Sequence, residues 1–182
     1  MNREDIIVRP ETQADIGRTE QVVRDAFHPS DTHLLLRALR LSSAWRDLSF
    51  VAELDYSVVG HVCFTRGWLD APSRLVEVLI LSPMSVAPDH QRKGIGKKLV
   101  TDSLAVLSDR TEPLVFLEGN PAFYLHAGFV AATELGFTSP SVRIPERAFQ
   151  VFPLSSYEPW MKGALVYPDV FWENDSVGLR RA

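Results

Sequence analysis

The segment Ser85-Val86-Ala87-Pro88-Asp89-His90-Gln91-Arg92-Lys93-Gly94-Ile95-Gly96-Lys97-Lys98-Leu99 constrains this chain more than any other. An apolar run ends at a proline, a polar turn with two glycines follows, and an amphipathic helix pattern then begins. Backbone N–H groups at a helix start have no intrahelical partner, and the helix dipole favours negative charge there. Gly94 and Gly96 remove the Cβ atoms that would keep an anion at a distance. Arg92, Lys93, Lys97 and Lys98 surround the turn with positive charge. The segment therefore predicts a strand, a phosphate cradle and a helix packed on a sheet.

Spacing decides between cradles. A P-loop needs a glycine five residues before its Gly-Lys and a hydroxyl after it, but Gln91 and Lys98 occupy those positions. A dinucleotide fingerprint needs a third glycine where Leu99 stands. What remains is Gln-x-x-Gly-x-Gly behind an extended segment. This resembles motif A of the GNAT superfamily of N-acetyltransferases. The resemblance implies that Gln91, Arg92, Lys93, Gly94, Ile95, Gly96 and Lys97 hold the pyrophosphate of acetyl-CoA. It also implies that Met84, Ser85 and Val86 form the strand whose backbone pairs with the pantetheine arm. The helix pattern agrees: Ile95, Leu99, Val100, Leu104, Val106 and Leu107 share one half of the wheel.

A second stretch, Glu118-Gly119-Asn120-Pro121-Ala122-Phe123-Tyr124-Leu125-His126-Ala127-Gly128-Phe129, resembles motif B of the same family. Family resemblance implies direct transfer, in which an amine attacks the thioester carbonyl and CoA leaves as a thiolate. Tyr124 matches the tyrosine that gives the thiolate its proton, since phenol and thiol have nearby pKa values of ~10 and ~8.5. Asn120 matches a CoA-contacting position, and it equally suits a helix cap. Pro83 suggests a strand bulge near Met84–Val86, whose free N–H would stabilise an oxyanion. Glu77, ahead of that bulge, is the first candidate for the base that deprotonates the amine. Glu118, His126 and His61 follow, and a water chain would also serve.

Composition narrows the rest. The 182 residues suffice for one domain with a sizeable core. A net charge of −4 argues against a nucleic-acid surface. One cysteine, Cys63, excludes an intramolecular disulfide, and it sits in an apolar strand where nothing activates a thiolate. The five histidines and Cys63 show no ligand spacing, so no metal is expected. No apolar run nears the ~20 residues of a membrane span, and no signal peptide is visible. The expected setting is the cytoplasm, with neither nucleic acid nor membrane as partner. The proline- and aromatic-rich tail leaves a homodimer open.

The chain order predicts the fold. Ile6–Pro10 reads as a strand. Thr12 and Asp15 resemble a capping box before a helix with Ile16, Val23 and Phe27 on its core face. His28-Pro29-Ser30-Asp31 breaks that helix, and Leu34–Leu39 starts another. Leu48–Leu54 and Val58–Arg66 read as a hairpin, followed by an extended segment over Arg74–Val86. Leu114–Leu117 reads as a strand, Phe123-Tyr124 as a short helix ending at Gly128, and Phe129–Leu135 as a strand. Beyond Gly136, Phe149–Leu154 and Ala164–Tyr167 are expected to pair as an added hairpin. The whole resembles an α/β (α+β) GNAT fold. It would comprise a mixed, mostly antiparallel sheet flanked by helices, a core over 5–135 and a C-terminal β extension over 136–182, all one domain. The function implied is transfer of an acetyl group from acetyl-CoA to an amine of a small molecule or protein. The alternative is a non-catalytic acyl-CoA-binding sensor. The same cradle would also serve O-acetylation or a longer acyl group.

Overall fold

The computed structural model describes residues 6–179. They group into two compact units. One holds the residues up to Phe64 with Ser82–Val106, and the other holds Thr65–Leu81 with the chain from Leu107 onward.

In the first unit, β1 (Ile7–Pro10) pairs antiparallel with β2 (Leu48–Leu54), and β2 pairs antiparallel with β3 (Ser57–Asp70). The β2–β3 turn has Asp55 and Tyr56 at φ 49° and 61°, the left-handed pair that matches the twist of a tight hairpin. The Thr12–Asp15 box is present: the Asp15 carboxylate accepts the Thr12 N–H at 2.8 Å and also binds Arg9. It caps a single 3-10 turn, Gln13–Asp15, from which α1 (Ile16–Phe27) continues. After the break, α2 spans Thr32–Leu41. Val23 of α1 and Leu36 of α2 bury against Cys63 of β3, with Phe27 and Trp45 beside them. Full burial of a side chain like Leu36 contributes about 2 kcal/mol. Gly60, on the opposite face of β3, lies against Ile95 and the Ser85 carbonyl. β4 (Leu75–Val86) thus runs beside β3 here, and the Ala87 N–H donates to Val59 O at 2.8 Å. The Ser82–Pro83 bond within β4 is cis.

α3 (Ile95–Leu107) buries Ile95, Leu99, Val100, Leu104 and Leu107 as expected. Val106, expected on that face, is 62% exposed, and Ser103 is buried instead, its hydroxyl satisfied by Val100 O at 3.0 Å. A bonded hydroxyl can be buried at little cost, so the packed stripe is narrower than hydropathy alone suggests.

The second unit is built on β5 (Leu114–Glu118). It pairs parallel with β4 at Leu79↔Val115 and Ile80↔Phe116, and antiparallel with β8 (Phe149–Pro153) along its whole length. α4 (Pro121–Tyr124) and a 3-10 turn follow, stopped by left-handed Gly128 at φ 90°. The strand expected over Phe129–Leu135 shrinks to β6 (Val130–Ala131), which pairs with β8, because a 3-10 turn takes Ala132–Leu135. β7 (Phe137–Thr138) comes next. The expected hairpin of Phe149–Leu154 with Ala164–Tyr167 does not form. β8 lies against β5, where Phe149 stacks on Phe116 at 5.6 Å. β9 (Gly163–Val166) pairs instead with Trp68–Asp70 of β3 and, in parallel, with β7. β3 is 14 residues long, and this far half offers the backbone edge that β9 fills. The short α5 (Asp169–Glu173) closes the described chain. Most strand pairs are antiparallel, and β4–β5 and β7–β9 are parallel, which agrees with the expected mixed sheet.

Candidate functional site

The expected site residues fall into two groups, one in each unit. The first runs from the end of β4 into α3. A 3-10 turn at Pro88–His90 leads to Gln91, then to Arg92 at φ 59° and Gly94 at φ 87°. These two left-handed residues turn the backbone sharply into the helix, and Gly94 does so without the strain a Cβ would bring. Lys98 donates to Gly94 O at 3.1 Å, so the N–H groups of Ile95, Gly96 and Lys97 precede the helical ladder. The Gln91 amide donates to Val86 O at 3.0 Å and ties the loop to the strand. Lys93 likewise reaches back to Asp89 O at 2.6 Å, and Lys98 pairs with Asp102 at 2.7 Å. Ser85 is buried, and its hydroxyl has no hydrogen-bond partner. That orphan oxygen, beside free helix N–H groups, suits a ligand with both polar chain and phosphate.

The second group lies along β5. Tyr124 is 8% exposed, and its ring covers Gly119, where any Cβ would collide with it. Burial pushes its hydroxyl up to about 12, so the proton stays on the ring across neutral pH. Asn120 is an N-cap: its Oδ1 accepts the Ala122 N–H at 3.1 Å. Glu77 stands level with the start of β5, by the Leu79↔Val115 register, and acts electrostatically on Arg110. Along strands this puts Glu77 about 16 Å from the level of Glu118. The structure therefore brings Asn120 and Tyr124 to one end of β5 and leaves Glu77 at the other.

Glu118 closes that end. Its Oε2 accepts the Gly178 N–H at 3.0 Å, and Tyr167 also hydrogen-bonds the carboxyl. Its Oε1 is buried without a partner. Burial raises its pKa above the usual 4.5, and Gly178, Tyr167 and Arg143 offset only part of this. His126 makes an edge contact with Phe123 at 5.6 Å.

His61 belongs to a buried polar chain in the first unit that motif reading did not reveal. Its Nε2 lies 2.8 Å from Ser49 Oγ, which donates to Glu11 Oε2 at 2.7 Å. Arg40 binds Glu11 Oε1 at 2.7 Å and approaches Glu20 at 3.4 Å. Burial, reinforced by Arg40, lowers the imidazole to about 4, so it is neutral. These partners lie 12 to 38 residues apart in sequence, beyond any motif spacing. Burial also raises the Cys63 thiol far above its usual value, which agrees with an inert cysteine. Among the described residues, no group of three His, Cys, Asp or Glu side chains is placed to hold a metal ion, and no helix is long and apolar enough to cross a membrane.

Comparison with known proteins gives a consistent picture. A family model described as "Acetyltransferase (GNAT) domain" matches residues 45–131. An N-acetyltransferase of Escherichia coli (strain K12), YjhQ, itself called uncharacterized, is 31% identical over 140 residues, covering 74% of this chain and 75% of the relative. The E. coli GNAT family N-acetyltransferase YhbS, solved in complex with CoA, superposes with a TM-score of 0.81 at 25% identity, covering 92% of both chains. A GNAT family acetyltransferase from Brucella melitensis, solved in complex with acetyl-CoA, gives a TM-score of 0.70 at 28% identity over 91% of this chain and 97% of that one.

Proposed function

The chain belongs to the GNAT family of acetyltransferases, and on that premise we propose that it binds acetyl-CoA and transfers the acetyl group directly to an amine. The observation that carries the reading is the loop from Gln91 to Gly96. Its left-handed Arg92 and Gly94 open α3 with its first N–H groups unspent and cationic side chains around them. The CoA and acetyl-CoA held by the two solved relatives support the same donor.

In this reading the N–H groups of Ile95, Gly96 and Lys97 hold the pyrophosphate, with Arg92, Lys93 and Lys97 adding charge. Gln91 shapes the cradle through Val86 rather than touching the phosphates. The segment Met84–Val86 takes the pantetheine arm, and the unpartnered Ser85 hydroxyl supplies a polar contact. Asn120 fixes the start of α4 and so the position of Tyr124. Tyr124 protonates the departing thiolate. Its raised pKa makes it a weaker acid than free phenol, but burial raises a thiol in the same way, so the two stay close enough for transfer. The two units form one acetyltransferase domain working in the cytoplasm, a setting that suits a single buried, protonated cysteine.

The test supplies purified protein with acetyl-CoA and a panel of primary amines and follows free thiol. Acceptor-dependent release is expected. Acetyl-CoA binding without it, across the panel, overturns transfer and leaves a sensor.

A further inference from the structure

The chain beyond α5 returns to the end of β5. The Ser176 N–H donates to Phe171 O at 2.8 Å, Val177 is fully buried, and the Leu179 N–H donates to Arg143 O at 3.2 Å. Arg143 also pairs with Asp175 at 3.4 Å. Between these anchors stands Gly178 at φ 63°, pressed so closely on Arg143 that a Cβ would lie 2.7 Å from its carbonyl carbon. Glycine meets both demands, the left-handed backbone and the close approach. Its N–H donates to Glu118 Oε2 at 3.0 Å, and the Tyr167 hydroxyl binds the same carboxyl. Burial and an unpartnered Oε1 make that carboxyl costly to keep there. What the cost maintains is a tie between two segments 60 residues apart.

The residue after Glu118 is Gly119, and the Tyr124 ring rests on it so closely that a Cβ would collide with Tyr124 Cε2. β8 holds this stretch along one edge. The Gly119 N–H donates to Ala148 O at 2.9 Å, and Gln150 donates to Gly119 O at 3.1 Å. The pairing with β4 covers Val115 and Phe116 and stops short of it. A strand end held along one edge can rock about that line of hydrogen bonds. Side chains alternate across an extended strand, so Glu118 projects from the face opposite the one that Leu117 and the Tyr124 ring share. Anchoring it from that face opposes the rocking.

Resting on the acetyl-transfer reading, in which Tyr124 is the acid, we propose that Gly178 and Glu118 are positioning residues: the segment Asp175–Leu179, clasped to the Glu118 carboxyl, holds Gly119 under the Tyr124 ring and so fixes where the phenol delivers its proton. Neither residue touches substrate, and Glu118 exchanges no proton during turnover. A small displacement of Gly119 is passed through the ring to the hydroxyl at its far end, and proton transfer is steep in the distance between donor and acceptor.

A double-mutant cycle on the full chain tests this, read as thiol release with acetyl-CoA and the fastest primary amine of the panel. Glu118→Leu fills the same space and accepts no hydrogen bond. Its kcat is expected to fall about tenfold, with acetyl-CoA affinity unchanged by calorimetry. Made in Tyr124→Phe, where no phenol is left to position, the same change is expected to lower the rate by less than about twofold. Glu118→Gln keeps an oxygen for the Gly178 N–H and is expected to retain turnover within about threefold of the wild type. An unchanged rate in Glu118→Leu, equal losses in both backgrounds, or a loss through glutamine as large as through leucine overturns the proposal while acetyl transfer by the wild type stands. A wild type that releases no thiol with any amine overturns both. Should Glu118→Leu fail to fold, Gly178→Ala opens the clasp from its other side with the carboxyl intact. It is expected to show the same loss of about tenfold and the same dependence on Tyr124, and full activity there overturns the assignment.

Discussion

Glu11 and Glu118 are both carboxylates withdrawn from water, and both accept two hydrogen bonds. They differ in company. Burial pushes Glu11 up, but His61, the Ser49 hydroxyl and the Arg40 guanidinium outweigh it and hold the group below the usual carboxyl range. At Glu118 burial wins, because Arg143 acts only from a distance and is shared with Asp175. Tyr124 and Tyr167 near it are also pushed up by burial. In the first unit, then, charges come in compensated alternation, from exposed Arg37 through Glu20 and Arg40 to buried Glu11, and keep their ionisation. At the end of β5, Tyr124 and Tyr167 keep their protons across neutral pH, and the Glu118 carboxyl is pushed above its usual range, with Arg143 offsetting only part of the cost of burial. Compensated charge fixes the positions of helices, and the protonated Tyr124 hydroxyl is available to move a proton.

The strongest challenge to this contrast is removal of the compensating cation. Arg40→Ala leaves Glu11, 6% exposed, and Glu20 without their shared partner. A loss of about 4 kcal/mol is expected in urea titration at unchanged m-value. A loss under 1 kcal/mol would mean that the chain is not what seats α2. On the other side, Tyr124→Phe removes a proton and little packing. Turnover is expected to drop about 100-fold with acetyl-CoA affinity and stability nearly unchanged, measured by thiol release and calorimetry. In the wild type, no rate loss from Tyr124 ionisation is expected between pH 8 and 10, because its hydroxyl titrates near 12.

The third prediction concerns pH. His61 titrates near 4 when folded, against its ordinary 6.5. Between those values the unfolded chain binds a proton that the folded one refuses, so stability is full above 6.5 and is lost as pH falls towards 4. Between pH 7 and pH 5 the wild type is expected to lose about 2 kcal/mol through this residue. His61→Gln, which retains a hydrogen bond to Ser49, is expected to flatten that slope, and an unchanged slope would assign it elsewhere. The smallest effect is at the cradle. Gly94→Asp adds a negative charge and a Cβ at φ 87°. Acetyl-CoA affinity is expected to fall about tenfold, or about 1.4 kcal/mol, by calorimetry on the folded variant.

Local signals in the sequence carried well. The glycines of the cradle, the Thr12–Asp15 box and the Gly128 stop are each decided by neighbours in the chain, and each appears where expected. The partners of β8 and β9 were not legible, because strand pairing is settled by which edge is left open, here the far half of β3 and the side of β5. Val106 and Ser103 exchanged roles through a hydroxyl bond that hydropathy does not register. At the candidate site, a motif singled out Tyr124, whereas the places of the two candidate carboxylates required register. Glu77 and Glu118 look alike in sequence, and only the Leu79↔Val115 pairing shows that they stand at opposite ends of β5.

The Gly178 contact has a practical side. The donor that holds Glu118 lies 60 residues downstream of it, beyond the last strand of the sheet. Two samples with the same purity on a gel, one cleaved between α5 and Gly178, would differ in the setting of that carboxyl. An intact mass belongs beside every rate measured on this protein.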